Sequence, residues 1–151
     1  MSDRSASSFS SGGYCVGTPD DNSAGFLSER VRYDRYENMS FDSEDVGAKL
    51  ATFIPRGAKV LDVGCGTGSV SEVVQTLSGA NLIGIEPDAR RADAARARGI
   101  AAYNGYLTDS FVNTHGPFDV VMFADVLEHL ANPAAAVFVA KRALTPDGSI
   151  V

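Results

Sequence analysis

The residues with the clearest chemical potential lie between Asp62 and Glu86. Gly64, Gly66 and Gly68 stand at alternate positions directly after the apolar run Val60, Leu61 and Val63. Val70, Val73, Val74 and Leu77 follow at the i, i+3, i+4, i+7 spacing of a helical stripe. A glycine turn between a buried strand and a helix lets a ligand approach the backbone, and the helix start offers free N–H groups. Leu82, Ile83 and Ile85 predict a second buried strand that ends on the carboxylate of Glu86. An acidic residue at that strand tip, about 20 positions beyond the turn, accepts hydrogen bonds from both hydroxyls of a ribose. The expected chemistry is therefore retention of a nucleoside-containing cofactor at a strand–turn–helix junction.

A second constellation lies further on. Asp125, Glu128 and His129 fall at i, i+3 and i+4, so that one helical turn would present all three to one point. Such donors suit Mg²⁺ or Mn²⁺. The leading expectation is a site without metal, and this trio is the alternative.

The elements that must position these groups can be read from periodicity and caps. Residues 1–25 are rich in Ser, Gly, Asp and Asn and bury too little apolar surface to offset ordering, so a disordered tail is expected. Residues 26–58 carry aromatics among Arg and Glu and read as an N-terminal helical segment. Their aromatics serve either as a lid over the cofactor cleft or as a cover for the sheet edge. Asp42 or Ser43 is placed to cap a helix with Glu44 and Asp45 in its first turn and Val46, Leu50, Phe53 and Ile54 on its buried face. Residues 59–151 form the cofactor-binding domain. Pro87 fits the first position of a helix over 88–98, and Gly99 ends it. The arginines of that helix share it with Asp88 and Asp93, which favours a solvated face over a nucleic-acid stripe. A short strand over 100–103, a loop with one helical turn over 104–117 and a buried strand over 118–123 come next. Asn132 caps a helix opened by Pro133, Thr145 to Gly148 form a turn, and a fifth strand begins at Ser149. Strands alternating with helices predict an α/β, Rossmann-like, doubly wound and mostly parallel sheet.

Composition narrows the class. A chain of 151 residues builds one domain with a real core, and a net charge of −6 argues against a broad nucleic-acid surface. No apolar run reaches membrane-span length, and the N-terminus lacks a secretory apolar core. Of the two cysteines, Cys65 sits inside the glycine turn, so no disulfide framework is implied, and a reducing, cytoplasmic setting is expected.

The glycine spacing differs from that of the dinucleotide fingerprint. Asp62-Val-Gly64-Cys-Gly66-Thr-Gly68 resembles motif I of the class I S-adenosylmethionine-dependent methyltransferases. The strand LIGIEPD, the segment FDVVMFADVLEHL with its following Asn-Pro, and ALTPDG occur in that family's order and spacing. The chain looks type 11/12-like and is similar to glycan-cluster and ubiquinone-biosynthesis-type methyltransferases. The resemblance implies S-adenosyl-L-methionine as cofactor and methyl transfer to a small-molecule or glycan-type acceptor. A non-catalytic module of the same fold and an NAD-dependent oxidoreductase are the other readings.

Carried onto this sequence, the resemblance implies that Gly64, Cys65, Gly66 and Gly68 admit the methionine and ribose, that Asp62 orients the amino group and that Glu86 bridges the ribose hydroxyls. Pro87 or Asp88 would touch the adenine edge, and Asn104, Gly105, Tyr106 and Leu107, following the carboxyl end of the third strand, would border the adenine. Ala124 and Asp125 would line the methyl-transfer side. His129 is the candidate base, histidine being the side-chain type most often used for that role. The family's sheet runs 3-2-1-4-5-7-6. Strands 6 and 7 are expected to be missing here, so that this chain reads as truncated, with an exposed sheet edge open to self-association.

Overall fold

The computed structural model describes residues 45–151. The expected tail, the aromatics of residues 26–41 and the caps Asp42 and Ser43 lie outside the described residues. Five strands and five helices alternate. They are α1 (Val46–Ala51), β1 (Lys59–Val63), α2 (Ser69–Ser78), β2 (Asn81–Glu86), α3 (Ala89–Ala97), β3 (Ala101–Asn104), α4 (Asp109–His115), β4 (Phe118–Met122), α5 (Pro133–Arg142) and β5 (Leu144–Ile150). A 3₁₀ turn, Leu127–His129, lies between β4 and α5. The strands form one sheet in the order β3-β2-β1-β4-β5, with every pair parallel. The expected doubly wound α/β fold is therefore present, and its order reverses between β1 and β4.

The core is two apolar layers, one on each sheet face. Because strand side chains alternate, Val60 and Leu82 enter the layer with Val70, Val74, Ala95 and Ile100. Leu61, Val63 and Ile85 enter the opposite layer with Val112, Leu130, Ala136 and Val139. The central strands are buried on both faces, which accounts for their near-continuous apolar sequence.

Several local expectations shift. Helix α1 begins at Val46, with Asp45 in the N-cap position, and spans only six residues. So short a helix cannot carry the anticipated i, i+4, i+7 stripe. Gly47 and Ala48 are buried instead, whereas Val46 and Phe53 are 38% and 66% exposed. Gly47 is needed for close packing, because a Cβ there would lie 2.9 Å from Cβ of Val73 on α2. In α2, Leu77 is exposed and Ser71 is buried, so a polar residue occupies part of the inward face. Asp88 is the N-cap of α3, its Oδ1 accepting from the N–H groups of Arg90 and Arg91, so Pro87 stands outside the helix. Where a loop with one helical turn was expected, the two-turn helix α4 stands, capped by Thr108, whose Oγ1 accepts the Phe111 N–H. Phe111 and His115 of that helix pack against Tyr103 of the edge strand β3.

Strand β5 begins at Leu144, earlier than expected. It pairs Leu144 with Phe118 and Ser149 with Val120. Thr145, Pro146, Asp147 and Gly148 exceed what β4 offers at that step and bulge out of the ladder, so the predicted turn is an irregularity within one strand. Among the described residues, no helix is long and apolar enough to cross a membrane.

Candidate cofactor site

The site is built where β1 and β2 end. Gly64, Gly66 and Gly68 have φ values of 75°, 55° and 79°, a region that side-chain-bearing residues rarely adopt. The three are nonetheless held for different reasons. A Cβ at Gly64 would lie 2.7 Å from Cγ2 of Val126, which follows β4. A Cβ at Gly68 would lie 3.0 Å from Cα of Ala95, so this glycine lets α3 close on the start of α2. A Cβ at Gly66 would meet nothing within 4 Å. Of the three turn glycines, Gly66 alone combines a left-handed backbone with open space beside it.

The turn is tied to β2. Gly64 N–H donates to Ile85 O at 2.8 Å, and Gly68 N–H closes the turn on Cys65 O at 2.9 Å. Glu86, only 4% exposed, accepts the Gly66 N–H through Oε2 at 3.0 Å and the Asp88 N–H through Oε1 at 2.9 Å. Burial raises its carboxyl above the ordinary carboxylate range, and those two N–H groups and Arg91, 4.0 Å away, work against the rise. A carboxylate oxygen has two lone pairs, so each Glu86 oxygen keeps an acceptor position beyond its backbone bond.

Asp62 lies on the same sheet face as Glu86, by the two-residue alternation of adjacent parallel strands. Its register partner on β2 is Gly84, which has no side chain. Cys65 fills that gap: a Cβ on Gly84 would lie 2.5 Å from the Cys65 Sγ. The thiol is thus a buried packing group, and only the backbone of Cys65 belongs to the turn. Burial, with Asp62 and Glu86 nearby, raises the thiol far above its ordinary value. Asp62 is 1% exposed. Its Oδ2 accepts the Ser71 hydroxyl at 2.6 Å, while Oδ1 has no hydrogen-bond partner among the described residues. Burial pushes the Asp62 carboxyl up to about 7; the Ser71 hydroxyl opposes this and Glu86 adds to it.

The β3 end completes one wall. Asn104 Nδ2 donates to Glu86 O at 3.0 Å and to Pro87 O at 2.8 Å, and Gly105 N–H donates to Glu86 O at 3.0 Å. These bonds hold the Pro87 and Gly105 backbones together beside the Glu86 tip. Tyr106 is half-buried. Leu107 is 2% exposed within the apolar layer, so its side chain is core and not a pocket wall.

The β4 end supplies the other side. Ala124 is half-buried, and Asp125 is exposed with φ 52°. That left-handed residue breaks the helical geometry on which the Asp125, Glu128 and His129 spacing relied. Only Leu127–His129 form a 3₁₀ turn. Among the described residues, no group of three or more His, Cys, Asp or Glu side chains is arranged to hold a metal ion. His129 lies exposed on that turn, its N–H donating to Val126 O at 2.9 Å.

Two contributors escaped the sequence reading, Ser71 and Val126, whereas Asn104 stands where it was expected, at the end of the third strand. Ser71 carried one usable signal, a polar residue beside an apolar helical stripe. Val126 carried none, since its partner Gly64 lies in the turn after a different strand.

Comparison with known proteins follows this geometry. A family described as "Methyltransferase domain" matches residues 31–151. The chain is 34% identical over 126 residues to a ubiquinone biosynthesis O-methyltransferase of Cereibacter sphaeroides, covering 75% of this chain and 49% of that protein. It is 36% identical over 121 residues to the protein of the same name from Psychrobacter cryohalolentis, covering 75% and 45%. The chain thus spans about half the length of the curated relatives it matches. Among solved structures, it resembles a TehB-like SAM-dependent methyltransferase from Corynebacterium glutamicum with a TM-score of 0.57 and 28% identity, covering 70% of this chain and 62% of that one. A SAM-dependent methyltransferase from Thiobacillus denitrificans, crystallised with S-adenosyl-L-homocysteine, shares the fold at a TM-score of 0.60 and 20% identity, covering 78% and 51%.

Proposed function

Because the chain belongs to the methyltransferase-domain family, we propose that it holds S-adenosyl-L-methionine at the β1 turn and serves methyl transfer to a hydroxyl of a small-molecule acceptor. The observation that carries this reading is the Glu86 carboxylate. It stands at the tip of β2, bound to the turn through Gly66, with acceptor positions left for two ribose hydroxyls.

Three features fit the cofactor. Gly66 leaves open space beside a left-handed backbone. Glu86 offers paired oxygens next to that space. Asp62 holds a buried oxygen without a hydrogen-bond partner among the described residues, suited to an ammonium group reached directly or through water. The Pro87 and Gly105 backbones, clamped by Asn104, would flank the adenine. The bound cofactor supplies an electrophilic methyl carbon that the acceptor oxygen displaces in line. This chain's residues bind, orient and exclude water; a hydroxyl acceptor must also lose a proton. His129, exposed on the 3₁₀ turn after β4, is our candidate to take it. The oxygen acceptor is supported by the names of the curated relatives, two of them ubiquinone biosynthesis O-methyltransferases.

Calorimetric titration with S-adenosylmethionine, S-adenosylhomocysteine and NAD tests the reading. The two adenosyl compounds should bind and raise the unfolding midpoint by mass action, while NAD should not. Preference for NAD, or no binding by a folded sample, would overturn it.

A further inference from the structure

We propose that Ser71 is a positioning residue of this site: its hydroxyl pins one oxygen of the buried Asp62 carboxylate, leaving the other oxygen to receive the cofactor's ammonium group, directly or through one water. The inference rests on the cofactor reading above and adds a residue to it.

Strand alternation places Asp62 with Val60 on the face covered by α2, where neither side of the sheet opens to solvent. Ser71 is fully buried in the first turn of α2, between Val70 and Val73. A serine inside a helix commonly donates to a carbonyl one turn back. Ser78 does so, with Val74 O at 2.7 Å. Ser71 instead reaches across to Asp62 Oδ2 at 2.6 Å. The carboxylate is thereby held in one rotamer with its two oxygens in different states: Oδ2 is satisfied, and Oδ1 has no hydrogen-bond partner among the described residues. A buried oxygen without a partner is costly, and a cationic ligand removes that cost.

The surrounding charges make the arrangement sensitive to pH. Glu86 of β2 adds negative charge on the same face, and the Cys65 thiol packs over Gly84 of β2. On α2, Glu72 pairs with Arg98 at 3.0 Å. On β4, Met122 faces Asp62 in register, and Asp119 at the far end accepts the Lys59 N–H. Beyond β4, Asp125 is exposed. The Ser71 hydroxyl favours the ionised carboxylate against the burial that disfavours it. Its loss should therefore reduce the carboxylate fraction near neutral pH.

The test is calorimetry on the intact chain from pH 5.5 to 8 with two ligands. S-adenosylhomocysteine carries the ammonium group, and 5′-methylthioadenosine lacks the amino acid portion. For the wild type, affinity for the first should rise as pH increases through about 7 more steeply than affinity for the second, which senses Glu86 but not Asp62. Ser71→Ala should move that rise upward by about one pH unit and weaken S-adenosylhomocysteine about fivefold at neutral pH, leaving 5′-methylthioadenosine unchanged. Ser71→Thr, which keeps the hydroxyl, should restore the wild-type profile. Equal weakening of both ligands, or an unmoved pH profile, would overturn the proposal. Should Ser71→Ala fail to fold, Asp62→Asn decides: the pH profile for S-adenosylhomocysteine should then match that for 5′-methylthioadenosine, and a remaining difference between the two would also overturn it. If the wild type binds neither ligand, the cofactor reading itself fails.

Discussion

Glu86 and Gly66 meet at 3.0 Å, carboxylate oxygen to backbone N–H, and this bond joins the tip of β2 to the glycine with open space beside it. The acidic group expected to meet a ribose thus also shapes the turn beneath it. Glu86→Gln keeps the length and one acceptor but removes the charge. Cofactor affinity should fall about 10- to 100-fold, as expected for weakened charge-assisted hydrogen bonds. The folded state should persist, as read by calorimetry alongside thermal unfolding.

Asp62 should leave a signature in stability. Its folded-state value of about 7 exceeds the ordinary 3.8. Between those values the folded chain holds more protons than the unfolded one, so this group's contribution is full below the lower value and is lost as pH rises through the upper. The span corresponds to ~4 kcal/mol at most. Urea unfolding should show Asp62→Asn gaining stability relative to wild type between pH 4.5 and 8, by roughly 2–4 kcal/mol. A constant difference across that range would contradict this assignment.

The turn glycines should separate by mechanism. Gly68→Ala places a methyl group 3.0 Å from the Ala95 Cα at φ 79° and should destabilise by about 2–4 kcal/mol. Gly66→Ala meets no neighbour and should cost only about 1–2 kcal/mol through its backbone. Cofactor affinity should follow the opposite order, with Gly66→Ala the more damaging per unit of stability lost. Denaturant curves and calorimetry on both variants measure this directly.

His129 is exposed and distant in sequence from the turn, so His129→Ala should leave S-adenosylhomocysteine affinity within about twofold. Turnover of a hydroxyl acceptor should fall by roughly 10² or more. Full turnover across pH in this variant would remove His129 from the chemistry.

Legibility followed the range of the interactions. The βαβ unit with its glycine turn could be read because strand, turn and helix are local patterns of apolar spacing and glycine placement. The burial of Val46, Phe53 and Leu77 was misjudged because periodicity assigns a face without knowing where a helix stops or what it meets. Helix α4 was read as a single helical turn because its second turn lies in a polar stretch, where Thr108 caps it and Tyr103 packs on it from the edge strand. The Asp125, Glu128 and His129 spacing promised one helical turn, and a single left-handed residue at Asp125 removed it.

What the sequence determined by itself is the class of site: an acidic residue, alternate glycines and a second acidic residue at the next strand tip, at separations set along one chain. Tertiary structure alone decided how those parts work. Parallel pairing of β1 with β2 places Asp62 opposite Gly84 and on the same face as Glu86. Packing of α2 on that face then delivers Ser71 to one carboxylate oxygen and leaves the other without a hydrogen-bond partner among the described residues. Hydrogen bonds and burial depend on distances in space, and residues that meet across strands and helices carry no mark of that meeting in their order.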